Sequence, residues 1–517
     1  MKTEKTTRRE FLKTGAAGIA AISIVSQLDK NEKISAQTFD LNEITVSELQ
    51  NKMKSGELTA RRIVEIYLER IKELDPKIHS VIEVNPDALA IADQMDKERK
   101  KGKIRSPLHG IPILIKDNID TADKMKTTAG SLALLDAPAP KQDAFIVKQL
   151  RKAGAVIIGK TNLSEWANFR STKSISGWSG RGGQTNNPYI LTENPCGSSA
   201  GTGAGISANL AAVGIGTETN GSIICPATRN GIVGIKPTLG LVSRSGIIPI
   251  AHTQDTAGPM CRTVTDAAIL LGAIIGHDKN DSVTSESKKG EKDYTRFLDA
   301  GGLRGARIGV ARQYLGNNAK AKELFEKNLE TLKANGAFLI DVNFTEDYSK
   351  MSDDRFLVLL YEFKTDLNKY LAARGSQYKT LADLIKFNAE NKEKELPLFG
   401  QEIFEQAQAK GALTDKVYTD ALAKNKAATR EKGIDAVVLK DKLDAIVAPA
   451  GGATWSIAAV AGYPYITVPA GFINEMPAGI GFFGRAFSEP SLIKIAYAFE
   501  QQTKARKTPQ FLAKASA

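Results

Sequence analysis

The sequence predicts an α/β domain built on one continuous sheet with helical covers. Three observations point there. Short, buried-looking apolar strands alternate with amphipathic helices through the first 160 residues. A Gly/Ser/Thr/Pro-rich stretch, residues 177–262, still contains apolar runs at 210–215 and 232–235. Strand character then returns near residue 444, after a Lys/Glu/Ala-rich, mostly helical excursion over about 280–440, which reads as an insertion into one sheet rather than as a separate body.

The elements follow in order. Thr45-Val46-Ser47-Glu48 is a capping box that starts a short helix with Leu49 and Met53 on one face. A second helix follows Thr59, with Ile63, Ile66, Tyr67, Ile71 and Leu74 at helical spacing, and Asp75-Pro76 is expected to stop it. Residues 107–115 read as a buried strand running into Lys116-Asp117-Asn118. Residues 144–153 read as a helix and 155–159 as another buried strand. The small residues of 177–262 imply tight backbone packing and exposed N–H groups, which suits a site better than a linker. Glu323, Phe325, Leu329 and Leu332 mark helical periodicity in the excursion. Residues 445–448 and 465–468 are strands, and a helix near 492–499 closes the chain.

Composition narrows the chemistry. The chain has 517 residues, 42% hydrophobic and 25% charged, as in an ordinary globular protein. The net charge of +12 is spread without a basic block interleaved with aromatics, so nucleic acid is not an expected partner. Four His and three Cys leave little material for a zinc site or a disulfide framework, and no metal or cofactor is expected. Hydrolytic chemistry here is expected to run without metal, and four histidines leave few candidates for a histidine base.

The N-terminus carries an address. Thr7-Arg8-Arg9-Glu10-Phe11-Leu12-Lys13 followed by an apolar run over 16–25 is the twin-arginine export pattern, so residues 1–36 read as a signal and 37–517 as the working domain. The expected partner for the signal is the twin-arginine export machinery. The expected location is periplasmic or extracellular, with membrane tethering if Ile34-Ser35-Ala36 is not cleaved. That route moves folded proteins, so the cysteines read as buried thiols rather than bridges.

Two constellations could attack a carbonyl. Gly197-Ser198-Ser199-Ala200-Gly201 fits the G-x-S-x-G elbow with Ser199 as nucleophile, but only His252 and His277 lie downstream as a base. Alternatively, Lys116 ends an apolar strand, where desolvation lowers a lysine pKa toward the range of a general base near neutrality. Ser198 and Ser222, each in a glycine-rich turn, can serve as relay and nucleophile. The run 216–223 can aim several backbone N–H groups at one oxyanion. Cys196 and Cys225 flank these serines and offer a cysteine nucleophile as a further reading, although neither has a neighbouring histidine in sequence.

The segment 107–118, with Thr127-Thr128-Ala129-Gly130-Ser131, Gly159-Lys160-Thr161-Asn162, Gly197-Ser198-Ser199, Gly221-Ser222 and Gly234-Ile235-Lys236-Pro237-Thr238, resembles the amidase signature family. The core match spans 107–262, and a weaker one runs from Ala461-Gly462-Tyr463-Pro464 onward. The resemblance implies a single large domain with a mixed central sheet covered by helices on both faces, and a Ser–cis-Ser–Lys triad. In that triad Ser222 is the nucleophile, Ser198 the bridging hydroxyl behind a cis peptide bond, and Lys116 the base. The backbone N–H groups of Thr219, Asn220, Gly221 and Ser222 would form the oxyanion hole. The chain departs from the common family pattern, which has Asp, Gly and Arg where it has Glu218, Asn220 and Ile224. The Asp–Arg pair expected behind the nucleophile is therefore missing.

The form Glu218-Thr219-Asn220-Gly221-Ser222, with Cys225-Pro226-Ala227 after it and Gln254-Asp255-Thr256 further on, resembles the peptide amidase-like branch. That implies removal of the C-terminal amide of a peptide, or of a related small amide, by a monomer or homodimer. A non-catalytic binding scaffold and an ammonia-releasing amidotransferase component are the other readings of the same motifs. Pocket walls are expected from the helical insertion and from segments near Trp178 and Trp455.

Overall fold

A computed structural model describes residues 41–514. The expected export signal, residues 1–36, lies outside the described residues. The compact unit that begins at Glu43 holds everything that follows.

Thr45 caps α1 (Val46–Ser55) with the expected capping box. Helix α2 (Ala60–Ile78) runs past Pro76, contrary to the expected stop. The helix ends instead at His79, in the left-handed conformation, whose N–H bonds Asp75 O at 2.7 Å. The Asp75 carboxylate takes the amides of Ser80 and Val81 and so turns the chain into β1 (Val81–Val84). Helix α3 (Ala88–Lys100) follows. The apolar run 107–115 is a strand only in its second half, β2 (Pro112–Lys116). Its first half is a turn in which His109 N and Ile111 N bond Ser106 O and Leu108 O. Helix α4 (Phe145–Ala153) and β3 (Val156–Thr161) stand where the pattern puts them.

The glycine-rich region supplies α5 (Ala200–Ser207), β4 (Val213–Glu218), α6 (Ile224–Arg229), β5 (Val233–Lys236) and β6 (Thr256–Cys261), and α7 (Val264–Ile274) comes next. Tight packing explains its composition. A Cβ on Gly214 would meet Ile206 and Thr202 of α5, and one on Gly216 would meet Met260 Sδ at 2.6 Å and Ser199 Oγ at 2.7 Å.

The stretch 280–440 is mostly helical, as expected, but it also adds two strands to the sheet. That stretch contributes β7 (Arg307–Val310) and β8 (Phe338–Asp341) around α8 (Ala319–Ala334), before the helices α9 (Ser352–Arg374), α10 (Leu381–Glu390) and α11 (Lys416–Thr429). Four-residue strands are too short to show a clear period of two. The chain returns with β9 (Ala445–Pro449), α12 (Gly452–Ala461), β10 (Tyr465–Ile473), β11 (Met476–Phe483) and α13 (Glu489–Thr503).

These eleven strands form one sheet in the order β1-β3-β2-β4-β6-β5-β10-β11-β9-β7-β8, and a small ribbon outside it pairs Trp178–Ser179 with Gly183–Gln184. The large sheet is mixed: β2 runs parallel to β3 and β4, β6 runs antiparallel to β4 and β5, and β7 runs parallel to β8 and β9. The central strands β2 to β6 are buried along their whole length, as expected for a sheet covered on both faces. Each fully buried Ile, Leu or Val there contributes about 1.5–3 kcal/mol of transfer free energy. The β2–β4 register pairs Ile113 with Val213 and Ile115 with Ile215, so the carboxyl ends of the two strands bring Lys116 beside Thr217. No helix among the described residues is long and apolar enough to cross a membrane.

Candidate active site

Lys116 is the last residue of β2 and is fully buried. Its Nζ lies 2.7 Å from Ser198 Oγ, 2.9 Å from Thr217 Oγ1 and 3.3 Å from Thr217 O. Asn118 Nδ2 donates to the same Thr217 hydroxyl at 3.0 Å. Burial pulls the lysine down from its ordinary 10.5 to about 7, against the opposing pull of the Glu218 and Asp255 carboxylates. A buried amine near neutrality with a hydroxyl in hydrogen-bond range can exchange a proton with it.

The Gly197–Ser198 peptide bond is cis. A Cβ on Gly197 would run into Ser164 Oγ, which is why the position takes no side chain. Ser198 O accepts from Ser164 N at 3.1 Å, and Ser199 N donates to Ser222 O at 3.1 Å, which ties the two serine turns together. Ser222 is buried and stands just before α6. Thr219, Asn220 and Gly221 link it to the end of β4. Gly221 has φ +81 and sits under the Trp455 indole, so a Cβ there would meet Trp455 Nε1 at 2.5 Å. Asn220 Oδ1 accepts from Ser456 Oγ at 2.7 Å.

Glu218 fills the place left open by the missing Asp–Arg pair. Its carboxylate accepts the amides of Ile223 at 2.7 Å and Ile224 at 3.0 Å, at the start of α6. Buried Lys236 at the end of β5 acts as its counter-charge. Burial lowers that lysine to about 8, while Glu218 and Glu489 hold it up. The positive charge therefore comes from the Gly-Ile-Lys-Pro-Thr motif rather than from position 224.

Other motif residues fold around this centre. Asp117 O accepts Thr128 N and Ala129 N, and its carboxylate takes the Thr128 hydroxyl, which wraps the 127–131 motif over β2. Lys160 is buried and donates to Thr127 Oγ1 at 3.0 Å.

Two readings of the sequence are overturned. Ser199 Oγ donates to Thr217 O at 3.0 Å and accepts from Thr217 N at 3.2 Å, so it is a buried structural hydroxyl. Neither downstream histidine bonds that hydroxyl: His252 Nδ1 pairs with Asp366 at 2.8 Å, and His277 Nδ1 lies 3.4 Å from Thr284 Oγ1. Cys196 and Cys225 are not free thiols. They form a disulfide with Cα atoms 5.8 Å apart, a separation that suits a bridge, and so neither can be the nucleophile. Cys261 alone fits the buried-thiol reading.

A cavity of about 420 Å³ opens over Ser198 and Thr217–Thr219. Ile247, Ile248 and Ile250 give it an apolar wall, and α9 supplies Asp366, Lys369 and Tyr370 to the rim. The helical insertion does furnish a pocket wall. Trp178 does not: it is buried edge-on against Phe399, 5.1 Å between ring centroids, beneath Arg170. Asp255 enters the sequence reading only as part of a motif. In the structure its carboxylate takes the Thr219 hydroxyl and the amides of Ile250 and Ala251. Among the described residues His252, Glu362 and Asp366 form a group that could hold a metal ion, but each already has protein partners.

The amidase family model matches residues 62–457. The peptide amidase of Stenotrophomonas maltophilia superposes with a TM-score of 0.88 at 48% identity, covering 92% of this chain and all of that one. A probable amidase from Arabidopsis thaliana is 45% identical over 489 residues, 92% of this chain and 93% of that protein. A glutamyl-tRNA(Gln) amidotransferase chain from Thermoanaerobacter pseudethanolicus is 33% identical, covering 91% of this chain and 99% of that one. Motifs, sheet and relatives agree: the chain belongs to the amidase family and is an amide hydrolase.

Proposed function

We propose that this enzyme hydrolyses C-terminal amides of peptides, or related small amides, with Ser222 as nucleophile, Ser198 as bridging hydroxyl and Lys116 as base. The observation that carries the reading is the fully buried Lys116 amine, lowered to about 7 and 2.7 Å from the Ser198 hydroxyl. Neutral Lys116 takes the Ser198 proton while Ser198 takes that of Ser222, whose oxygen attacks the amide carbonyl. The amides of 219–222 hold the oxyanion, and losing one such donor would cost about 3 kcal/mol of transition-state stabilisation. The lysinium returns the proton through Ser198 to the leaving ammonia, leaving an acyl-enzyme on Ser222. Water activated by the same relay then releases the acid.

The 48% identity to a peptide amidase supports a peptide amide as substrate, and the apolar wall at Ile247–Ile250 suits its side chains. The 33% identity to an amidotransferase chain is lower, and the Cys196–Cys225 disulfide suits an oxidising compartment, in line with export of the chain. The test is a screen of peptide amides, aryl amides and small aliphatic amides for release of ammonia or amine, with Ser222→Ala as the dead control. Ammonia release confined to glutamine in the presence of partner chains would overturn the reading. So would a fully active Ser222→Ala variant.

A further inference from the structure

We propose that the Cys196–Cys225 disulfide is a positioning element for catalysis, one that sets the approach of Ser198 to Ser222. The inference rests on the assignment of those two serines above. Cys196 stands two residues before Ser198, and Cys225 three residues after Ser222, so the bridge brackets both hydroxyls. On one side Cys225 lies in α6 with its N–H on Gly221 O at 2.8 Å, which makes it part of the turn that carries Ser222. On the other side Cys196 has φ +59, a left-handed conformation unusual for a side-chain-bearing residue and held only where its surroundings impose it.

Few other links join the two segments. Ser199 N reaches Ser222 O at 3.1 Å, and Asn230 Nδ2 reaches Pro195 O at 2.8 Å. These are single hydrogen bonds; the disulfide is the covalent link between the segments. The 29-residue separation between the cysteines contains α5 and β4, already secured by burial and by strand pairing to β2 and β6. Opening the bridge therefore leaves the fold in place and loosens the local register of the serine turns. Lys116 stays on its rigid strand, so a drift of Ser198 relative to Ser222 breaks the relay rather than the pocket. Both cysteines are half-buried rather than sealed in the core.

A dithiol opens the bridge by donating two electrons and two protons. The S–S bond breaks, two thiols form, and the reagent becomes a cyclic disulfide. The test compares native enzyme, enzyme reduced with dithiothreitol under native conditions, and the Cys196→Ser/Cys225→Ser double variant, all on one peptide amide. Displacement of a catalytic group by about 1 Å can cost up to about 100-fold, so kcat is expected to fall on the order of tenfold. KM is expected to stay within about twofold, since the pocket wall is untouched. Labelling of Ser222 by a fluorophosphonate should slow in parallel. Oxidised glutathione should restore the reduced native enzyme and leave the double variant unchanged.

An unchanged kcat in the reduced, folded enzyme overturns the proposal, and so does a lowered Tm with unchanged kcat, which would make the bridge a staple alone. If the double variant does not fold, the reduced native enzyme, checked by far-UV circular dichroism, decides. Retained activity in Ser222→Ala would instead sink the underlying serine assignment, so the two failures are distinguishable.

Discussion

Thr219 and Asp255 are clamped together: the threonine hydroxyl donates to one carboxylate oxygen, and the other oxygen accepts the amides of Ile250 at 2.8 Å and Ala251 at 2.9 Å. One side chain thus joins the turn that is to hold an oxyanion to the apolar wall that is to hold the substrate.

Asp255→Ala breaks that junction, because alanine leaves the threonine hydroxyl and the two amides without their common acceptor. Unpaired buried donors cost about 1–3 kcal/mol, so the variant should lose stability of that order in urea titration. Its kcat should fall more than its KM rises. Equal effects on both would assign the residue to substrate binding.

The rate should depend on the protonation of Lys116. Burial disfavours the ammonium, so the neutral, proton-accepting amine predominates above about 7 and is depleted below it. The prediction is a kcat/KM that rises about tenfold per pH unit in the acid range and levels off above neutrality. A profile flat between about pH 5 and 8 would exclude this lysine as the base. Lys116→Ala should lose about 100- to 10,000-fold in kcat, the range for removal of a general base.

Ser199→Ala separates the elbow reading from the Ser222 reading by assay. The hydroxyl is committed to Thr217, so its removal should cost about 1 kcal/mol of stability and leave most of the activity. Complete loss of labelling by a fluorophosphonate in this variant would reinstate Ser199 as the reactive residue.

Glu218→Ala should be the most damaging single change behind the nucleophile. It strips acceptors from the amides of Ile223 and Ile224 and leaves Lys236 a buried charge with Glu489 as its remaining counter-charge. Each buried amide left without an acceptor costs about 1–3 kcal/mol, and the Lys236 charge, which Glu218 stabilises without a direct ion pair, adds to the loss. Denaturant unfolding measures it, and a value near zero would mean that Lys236 loses its proton when the carboxylate is gone.

Much of the architecture was legible because apolar runs at Ile113–Ile115 and Ile157–Ile158 are buried on both faces and leave a strong signal. What stayed hidden had physical reasons. Phe338–Asp341 is the edge strand and Arg307–Val310 its neighbour; each has four residues, and the edge strand alternates little in burial. Pro76 sits in the last turn of α2, which closes at His79, so the single helical hydrogen bond it cannot donate disrupts little. Of the proposed site, Lys116, Ser198 and Ser222 stand out in the sequence through their motifs, and the structure brings Lys116 within 2.7 Å of Ser198. The contacts of Thr217 and Asp255 do not stand out, because a threonine or a carboxylate in a Gly/Ser-rich stretch has no period to announce it, and Asn118 shows only as the end of the lysine motif. The clue available for Asp255 was a charge beside an apolar run. The disulfide was missed because its two cysteines look like separate members of two serine motifs, and the sheet alone brings them together.

Residue 116 meets its partners across 82 and 101 positions of chain, at Ser198 and Thr217. Before β4 docks against β2, nothing strips water from that amine, and it titrates as any solvated lysine does, near 10.5. Basicity suited to proton abstraction at neutral pH is therefore made by assembly: a growing polypeptide that has not yet laid down Val213–Glu218 carries the lysine and none of its reactivity.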